Sequence, residues 1–442
     1  MLVNRSGMMF CPSVLPRLQV LITMLDFRPP LDQPVLLNFV KAAMPAYMRV
    51  RMKGLQVKPI DGAVARFKET ARQRAMICPN HSNRHDPQAM FAFSNAVGED
   101  FNFVAAREVF DYDEGKNGWW LQHLGCYSVV RGAPDRESFK MTRKIIAEGK
   151  KKLVLFPEGE ISRQNDTLMP LESGAAQLSF WGVEELAKQS AENGNDLPPC
   201  YIIPIAMKYT YPTDIRPELW RVLSLLEERV GIGVSDKESF HNRLKNLTGK
   251  LLLTLEKEYE FKAREGATVT ERVDALRTHV LTTVARQLNI TLQEGGKQLD
   301  WVRQIRNKLD DFIYADDAHG SEYEKKIHDE KAATIKGYYR DMDRVVNFIA
   351  IYETYFVESN TQERFADTLD RLESEIMGHE PSIKGARTVL LDVGEAINIS
   401  SEYNEYKTHK KAVIAKITND ISHSIEGMLI GLDKYRKPIM LS

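Results

Sequence analysis

The chain has 442 residues, 43% of them apolar and 27% charged, with 26 Gly and 19 Pro. This is a globular composition, which excludes a collagen-like, low-complexity or wholly disordered chain and accommodates one large domain with insertions or two to three ordinary ones. Lys and Arg number 60 against 61 Asp and Glu, so no global field argues for nucleic acid, and any affinity for membranes or anions has to come from local patches.

Met8–Leu25 is apolar but is broken by Pro12 and Pro16 and carries Arg17, without a basic start and a small-residue cleavage site. The longest run free of Asp, Glu, Lys and Arg, Asn117–Val130, is 14 residues, short of the roughly 20 of a helical span. The expectation is no signal peptide and no transmembrane helix, with peripheral membrane binding open. Cys11, Cys78, Cys126 and Cys200 lie far apart and form no Cys-x-x-Cys pair, which points away from a disulfide framework or a zinc knuckle and towards a reducing compartment.

Residues 34–53 read as an apolar helix that turns basic at its end. From Arg49 to Arg74 there are eight Lys/Arg, opposed only by Asp61 and Glu69. Two readings stand: a docked helix followed by a solvated charged loop, or an interfacial helix whose basic flank meets anionic headgroups. Short apolar runs at Ala75–Cys78, Cys126–Val130, Lys152–Phe156 and Tyr201–Met207 predict buried strands, separated by helical segments such as Ser138–Glu148. That alternation predicts an α/β layered domain with a mostly parallel sheet.

After residue 213 the texture is helical. Leu244, Leu247, Leu251, Leu255 and Tyr259 step by three and four, as do Val273, Leu276, Val280 and Val284, then Tyr338, Met342, Val345, Ile349, Tyr352 and Phe356, then Phe365, Leu369, Leu372 and Ile376. Thr268 followed by Glu271 predicts a capping box, and the charged spacer Asp310–Glu330 reads as a loop. Ala386–Ile399 then reads as a strand ending at Gly394, followed by an amphipathic helix with Val413, Ile417, Ile421, Ile425 and Met428 on one face. A lone strand after a helical block needs a sheet to join. The economical organisation is N-terminal interfacial helices over 1–52, an α/β core over 53–212, a large all-α insertion over 213–384, and a strand and helix over 385–442 that complete the core. No internal repeat is present.

The segment Pro79-Asn-His-Ser-Asn-Arg-His-Asp-Pro87 lies between a buried strand and a helical pattern at Gln88–Ala96, where α/β proteins place reactive groups. Asp86 is placed to hold one tautomer of His81, freeing the other ring nitrogen to take a proton from a hydroxyl. Asp86 before Pro87 also fits a helix cap, His81 fits a satisfied loop histidine, and His81, His85 and Asp86 together fit a metal. Phe156-Pro-Glu-Gly-Glu-Ile-Ser-Arg163 follows another strand. Pro157 cannot continue a central ladder, Gly159 permits an unusual backbone angle, and Glu158 and Ser162 are expected to face whatever docks there; an ordinary turn is the alternative. Gly125-Cys-Tyr-Ser-Val-Val-Arg131 puts a guanidinium just past a strand, suited to phosphate or to a surface ion pair.

In order and spacing, Asn80-His81-x4-Asp86, Gly125-x5-Arg131, Phe156-Pro-Glu-Gly159 and Ile203-Pro204-Ile205 strongly resemble the four motif blocks of the glycerolipid acyltransferases, most of all the 1-acylglycerol-3-phosphate acyltransferases. The resemblance covers about residues 53–212, and Val393-Gly-Glu-Ala-Ile397 looks like the family's following strand, which usually reads Gly-x-Pro-Ile. It implies His81 as a general base activating an acceptor hydroxyl towards an acyl thioester, with Asp86 orienting it. Arg131, Glu158 and Gly159 are implied to place a glycerol-phosphate acceptor, and Pro204 to shape the acyl side. No metal, cofactor or covalent enzyme intermediate is implied. Where the family often reads Phe-Pro-Glu-Gly-Thr-Arg-Ser, Ile161 stands in place of the Arg, with Ser162 following and Arg163 near enough to substitute. Where it often reads Phe-Lys-x-Gly, the chain has Leu171-Glu172-Ser173-Gly174, an anion for a cation.

The resulting expectation is acyl transfer from acyl-CoA or acyl-carrier protein to lysophosphatidic acid or a related lysophospholipid, at the cytoplasmic surface of a membrane and with no nucleic-acid partner. Glycerol 3-phosphate or another lysolipid as acceptor, and a catalytically silent lipid-binding scaffold, are the alternatives. Trp119 and Trp120 read equally as an interfacial contact or as core packing, and the helical block as a lid, a membrane contact or an oligomer interface. No oligomeric state is read from the sequence.

Overall fold

The computed structural model describes residues 27–130, 135–234, 238–314, 334–335, 337–347 and 361–436. Helix α1 (Pro34–Arg51) opens on Pro34, whose fixed φ suits a first turn, and buries Leu37, Met44 and Met48. The basic stretch after it is not a solvated loop. It folds as strand β1 (Gln56–Pro59) and the short helix α2 (Ala63–Lys68). Three of its cations have partners: Lys53 Nζ donates to the Ile383 carbonyl at 2.8 Å, Arg66 pairs with Asp392 and donates to the Val393 carbonyl at 2.7 Å, and Arg74 Nε donates to the Ala147 carbonyl at 3.0 Å.

The α/β alternation continues with β2 (Arg74–Pro79), α3 (Asp86–Val97), β3 (Phe101–Ala106), a 3-10 turn at Arg107–Asp111, α4 (Lys116–His123), β4 (Cys126–Val129), α5 (Arg136–Glu148), β5 (Lys152–Val154), α6 (Gly174–Glu192) and β6 (Cys200–Thr210). Helices follow: α7 (Arg216–Arg229), α8 (Phe240–Glu258), α9 (Val269–Gln287), α10 (Gln298–Tyr314), a helical stretch over 337–347 and α11 (Gln362–Met377). The chain then re-enters the sheet as β7 (Thr388–Val393) and β8 (Ile397–Asn398) and ends in α12 (Tyr403–Thr408) and α13 (Lys410–Gly431).

The eight strands form one sheet in the order β1-β7-β6-β2-β5-β3-β4, with β8 also on β6. Strands β2 to β6 are mutually parallel; β7 runs antiparallel to β6, and β1 parallel to β7. The fold is thus α/β with a mostly parallel sheet and helical additions. One face packs Leu37, Met48, Phe67, Phe93 and Met207 under α1–α3, the other packs Ile146, Phe180, Val183, Ile417 and Ile421 under α5, α6 and α13. A third apolar cluster, with Leu219, Phe240, Leu281, Val302 and Leu369, lies among the helices that follow β6 and takes in Met169 and Ile215.

Pro204 lies inside a strand with neighbours on both sides, where a missing N–H normally breaks a ladder. Here the register absorbs it. On that edge β7 pairs β6 from Ile205 onward, β8 pairs Tyr201 and Ile202, and the Pro204 carbonyl accepts from Gly394 N–H at 2.9 Å between them. The strand expected to end at Gly394 does so as β7, and a second short strand, β8, follows it. Gly394 sits at the break, where a Cβ would come 2.4 Å from Ser424 Oγ.

The expected spacer loop over Asp310–Glu330 is corrected at its start, since α10 runs to Tyr314. Leu299, Val302, Ile305 and Leu309 are buried at helical spacing, and their packing carries the helix past Asp310. The rest of that spacer, and Ile349, Tyr352 and Phe356, lie outside the described residues. The Thr268 capping box is present, with Glu271 N–H donating to Thr268 Oγ1 at 3.2 Å and Thr268 N–H to Glu271 Oε2 at 2.8 Å. Among the described residues, no helix is long and apolar enough to cross a membrane.

Candidate active site

The end of β2 is tied down before the reactive segment begins. Asn80, fully buried, uses its side chain as an extra ladder rung: Nδ2 donates to the Met207 carbonyl at 3.0 Å and Oδ1 accepts from Met207 N–H at 2.7 Å. Asn165 makes the same pair of bonds to Tyr209, at 2.7 and 2.6 Å. Two loops are thereby pinned to the exposed edge of β6 where β2 has ended, and His81 leaves from a fixed point.

His81 Nδ1 lies 2.9 Å from Asp86 Oδ2. A carboxylate only accepts, so the proton is on Nδ1 and Nε2 is the basic nitrogen. Asp86 has no exposed surface and is held by two further donors, Asn83 N–H to Oδ2 at 2.8 Å and Tyr209 O–H to Oδ1 at 2.7 Å. Its carboxylate therefore spends itself on the loop and on β6 rather than capping α3, whose N-cap is His85. The His81 ring stacks on Phe156 with centroids 4.2 Å apart.

Glu158 and Ser162 do not face outward as expected. Glu158 is 1% exposed, and its two oxygens accept from the backbone N–H groups of His81 and, at 3.0 Å, Met169. Burial pushes its carboxyl up to about 7 against the pull of those bonds. Ser162 donates its N–H to the His81 carbonyl at 2.8 Å and its hydroxyl to the same oxygen at 3.2 Å. Both residues hold the backbone of the histidine loop. Gly159 has φ +76°, and a Cβ there would come 2.7 Å from Glu172 Oε1, so the Phe-Pro-Glu-Gly turn closes directly on Glu172.

Glu172, the anion at a position where the resembled family often has Lys, meets a cation from elsewhere. Arg303 of α10 places Nε 3.2 Å from Glu172 Oε1 and donates through Nη2 to the Pro170 carbonyl at 2.7 Å. Arg306, one turn on, pairs with Glu160 and with Asp343. Arg163 adopts φ +52° and lies 3.3 Å from Glu380. Pro204 stays within the ladder opposite Cys78. Arg131 lies outside the described residues. His85 is held neutral, its pKa lowered to about 3 by burial and by the Arg387 and Arg84 guanidinium groups.

The structure thus gathers His81, Asp86, Glu158, Gly159, Ser162 and Arg163 around one turn. Sequence reasoning missed Tyr209, Asn165, Arg303 and Arg387. A signal existed for Tyr209: it shares the buried face of β6 with Ile203, Ile205 and Met207, and a phenol on an apolar face needs a partner. Among the described residues, no group of three or more His, Cys, Asp or Glu is placed to hold a metal ion. A base held in one tautomer at a strand end, its ring hydrogen-bonded to no Ser hydroxyl or Cys thiol among the described residues, suits deprotonation of a bound hydroxyl.

Residues 62–208 match the family model Acyltransferase. This acyltransferase domain spans the His81 and Glu158 turns and stops before the helices that follow β6. No curated protein matches the chain. Within the acyltransferase domain Ile77, Val154 and Ile203 form adjacent rungs of the sheet, which is how turns far apart in sequence converge on His81.

Proposed function

We propose that the chain moves a fatty acyl group from an acyl thioester, acyl-CoA or acyl-carrier protein, to the hydroxyl of lysophosphatidic acid or a related lysophospholipid. The observation that carries this reading is the His81–Asp86 pair, buried on the Asp side and set in the acyltransferase domain. In the scheme, His81 Nε2 takes the acceptor's hydroxyl proton as the oxygen attacks the thioester carbonyl. Asp86 stabilises the imidazolium. The tetrahedral intermediate then expels the thiolate, which takes the proton from Nε2. A thioester is already activated, so positioning and one base suffice, and neither metal nor cofactor enters the scheme. Gly159, Arg163 and Arg131 are assigned to the acceptor and Pro204 to the acyl side. Glu158 and Ser162 act through the loop that carries His81.

The site is proposed to work at a membrane surface as a peripheral protein on the cytoplasmic side. Helix α1 leaves Val35 86%, Phe39 67% and Val50 75% exposed and ends in Arg49 and Arg51. Helix α4, with Trp119 and Trp120 about half exposed, is bound to the chain just before α1 by Leu31 N–H to the Gln122 carbonyl at 2.8 Å. Apolar side chains beside a basic end are what an anionic bilayer receives.

The test is release of free thiol from palmitoyl-CoA with lysophosphatidic acid as acceptor, and product lipid identified by mass. Wild type is expected to yield phosphatidic acid, and His81→Ala to fold normally and lose about a thousandfold in kcat. A variant that keeps most of its rate refutes the base.

A further inference from the structure

The backbone of His81 is set by Glu158, and Glu158 belongs to a loop that runs from Pro157 to Glu172. The loop closes on itself twice. Glu172 N–H donates to the Pro157 carbonyl at 2.8 Å, and Met169 N–H donates to Glu158 Oε2 at 3.0 Å. The other oxygen of Glu158 accepts the His81 N–H. Three carboxylates lie on this loop, those of Glu158, Glu160 and Glu172. Glu172 folds its carboxylate back against Gly159, between the other two in sequence. Like charges gathered this closely repel, so the loop needs cations to keep its shape.

The cations come from α10. Arg303 reaches three points of the loop at once. Its Nε lies 3.2 Å from Glu172 Oε1, and its Nη2 lies 2.7 Å from the Pro170 carbonyl and 3.4 Å from the Glu158 carbonyl. One planar guanidinium thus ties the start of the loop to its end, which a single ammonium group could not do. Arg306, one turn on, pairs with Glu160 and stands 2.6 Å from Asp343 in the next helical stretch. The two side chains are 19% and 14% exposed, so their pairs are screened less than surface pairs.

The helix that carries both groups is itself fixed. Leu299, Val302, Ile305 and Leu309 bury its other face, and Trp301 Nε1 donates to the Gln293 carbonyl at 2.9 Å. Met169 packs its side chain into the same apolar cluster while its N–H holds Glu158. The loop is therefore attached to the helices by charge at Arg303 and Arg306 and by burial at Met169. A loop released from α10 would let Glu158 shift, and His81 with it.

We propose that Arg303 and Arg306 are positioning residues for His81: α10 clamps the Pro157–Glu172 loop, and the loop's Glu158 holds the histidine backbone. The helices that follow β6 then act on the reacting centre directly, a role that needs neither lid motion, bilayer nor second copy of the chain. Treating His81 as the base rests on the proposed function above; the clamp itself does not.

The test compares the full chain as wild type, Arg303→Met, Arg306→Met and Arg303→Lys. Met keeps an aliphatic stem in place of Arg while removing its charge and donors. Hydrogen exchange is read at the His81 and Met169 amides, and turnover is measured with palmitoyl-CoA and lysophosphatidic acid. Exchange at both amides is expected to quicken about tenfold in Arg303→Met and less in Arg306→Met, with α8, α9 and the melting temperature near wild type. In Arg303→Met kcat is expected to fall about tenfold, with KM for both substrates within about twofold. Arg303→Lys restores the pair with Glu172 but not the fork to the two carbonyls, and should recover part of both losses. Unchanged exchange at His81 and Met169 overturns the clamp, whatever turnover does. Faster exchange spread evenly over α8 and α9 also overturns it, because the two arginines would then only stabilise the helices. Quickened exchange at the two amides with an unaltered kcat overturns their positioning role. If exchange responds as expected while wild type consumes no thioester, the clamp stands and the acyl-transfer reading falls.

Discussion

Glu158 shows how much one side chain carries without touching substrate. Its carboxyl joins the His81 backbone to Met169 through two N–H bonds, so it fixes where the base begins. Gln in its place keeps one acceptor oxygen but turns an NH2 towards the second N–H, leaving a buried donor unmatched at a cost of about 1–3 kcal/mol. Glu158→Gln should lower the urea midpoint, and kcat by about a hundredfold, through misplacement of His81. The pH dependence has a definite sign. The folded carboxyl keeps its proton up to about 7, whereas the ordinary value is 4.5. Between those values the unfolded chain holds fewer protons, so this contribution to stability is complete at low pH and is lost as pH rises through 7. Urea midpoints at pH 5, 6 and 7 should show a downward slope in wild type that flattens in the variant; an unchanged slope assigns the titration elsewhere. The dyad was readable in the sequence because His81 and Asp86 are five residues apart at a strand's end. Tyr209, 123 residues from Asp86, and Arg387, 302 from His85, were not, since only the sheet order brings β6 and β7 beside the end of β2.

At the scale of elements, the strands read from the sequence were β2, β4, β5 and β6, whose short runs are mostly apolar and buried, whether inside the sheet or, for β4, at its edge. The edge strand β1 escaped because Gln56 and Lys58 alternate with half-buried residues in a charged stretch. Helix α10 was hidden by the acidic residues at its end, and with it Arg303 and Arg306, which put two guanidinium groups onto the Glu158 turn from outside the motif region. Helix α1 was legible as an apolar helix with a basic end, yet the packing of the chain decides which face is free. That face now makes a specific expectation. Val35→Asp and Phe39→Asp together should weaken binding to vesicles containing anionic phospholipid by at least about tenfold, because each removes an apolar side chain from the bilayer contact. The melting temperature should stay near wild type, since both positions are exposed. Binding that survives both substitutions in a sedimentation assay moves the membrane contact to another surface.

Taken whole, the molecule closes its sheet only after the chain has passed through the helices α7 to α11, because β7 lies between β1 and β6. Those helices have a core of their own, yet they meet the sheet through buried polar bonds. Gln362 accepts from Ile215 N–H at 3.0 Å, Glu363 from Tyr211 N–H at 3.2 Å, and Arg364 lies 2.9 Å from Asp166, which also lies 3.1 Å from Lys208 of β6. Polar partners buried this way cannot part without leaving groups unmatched, so the helices and the sheet are expected to melt together rather than as separate units. Phe240 tests this. It is fully buried against Trp220 and Phe365, with ring centroids 4.9 Å away in both cases, and is remote in sequence from every motif residue. Phe240→Ala should cost about 3–5 kcal/mol. In differential scanning calorimetry it should lower one transition that carries the sheet with it, and acyl transfer should be lost at the same lowered temperature. Two transitions, with turnover following the unshifted one, would mean that α7 to α11 are an independent body and that Arg303 and Arg306 contribute little to holding the His81 turn.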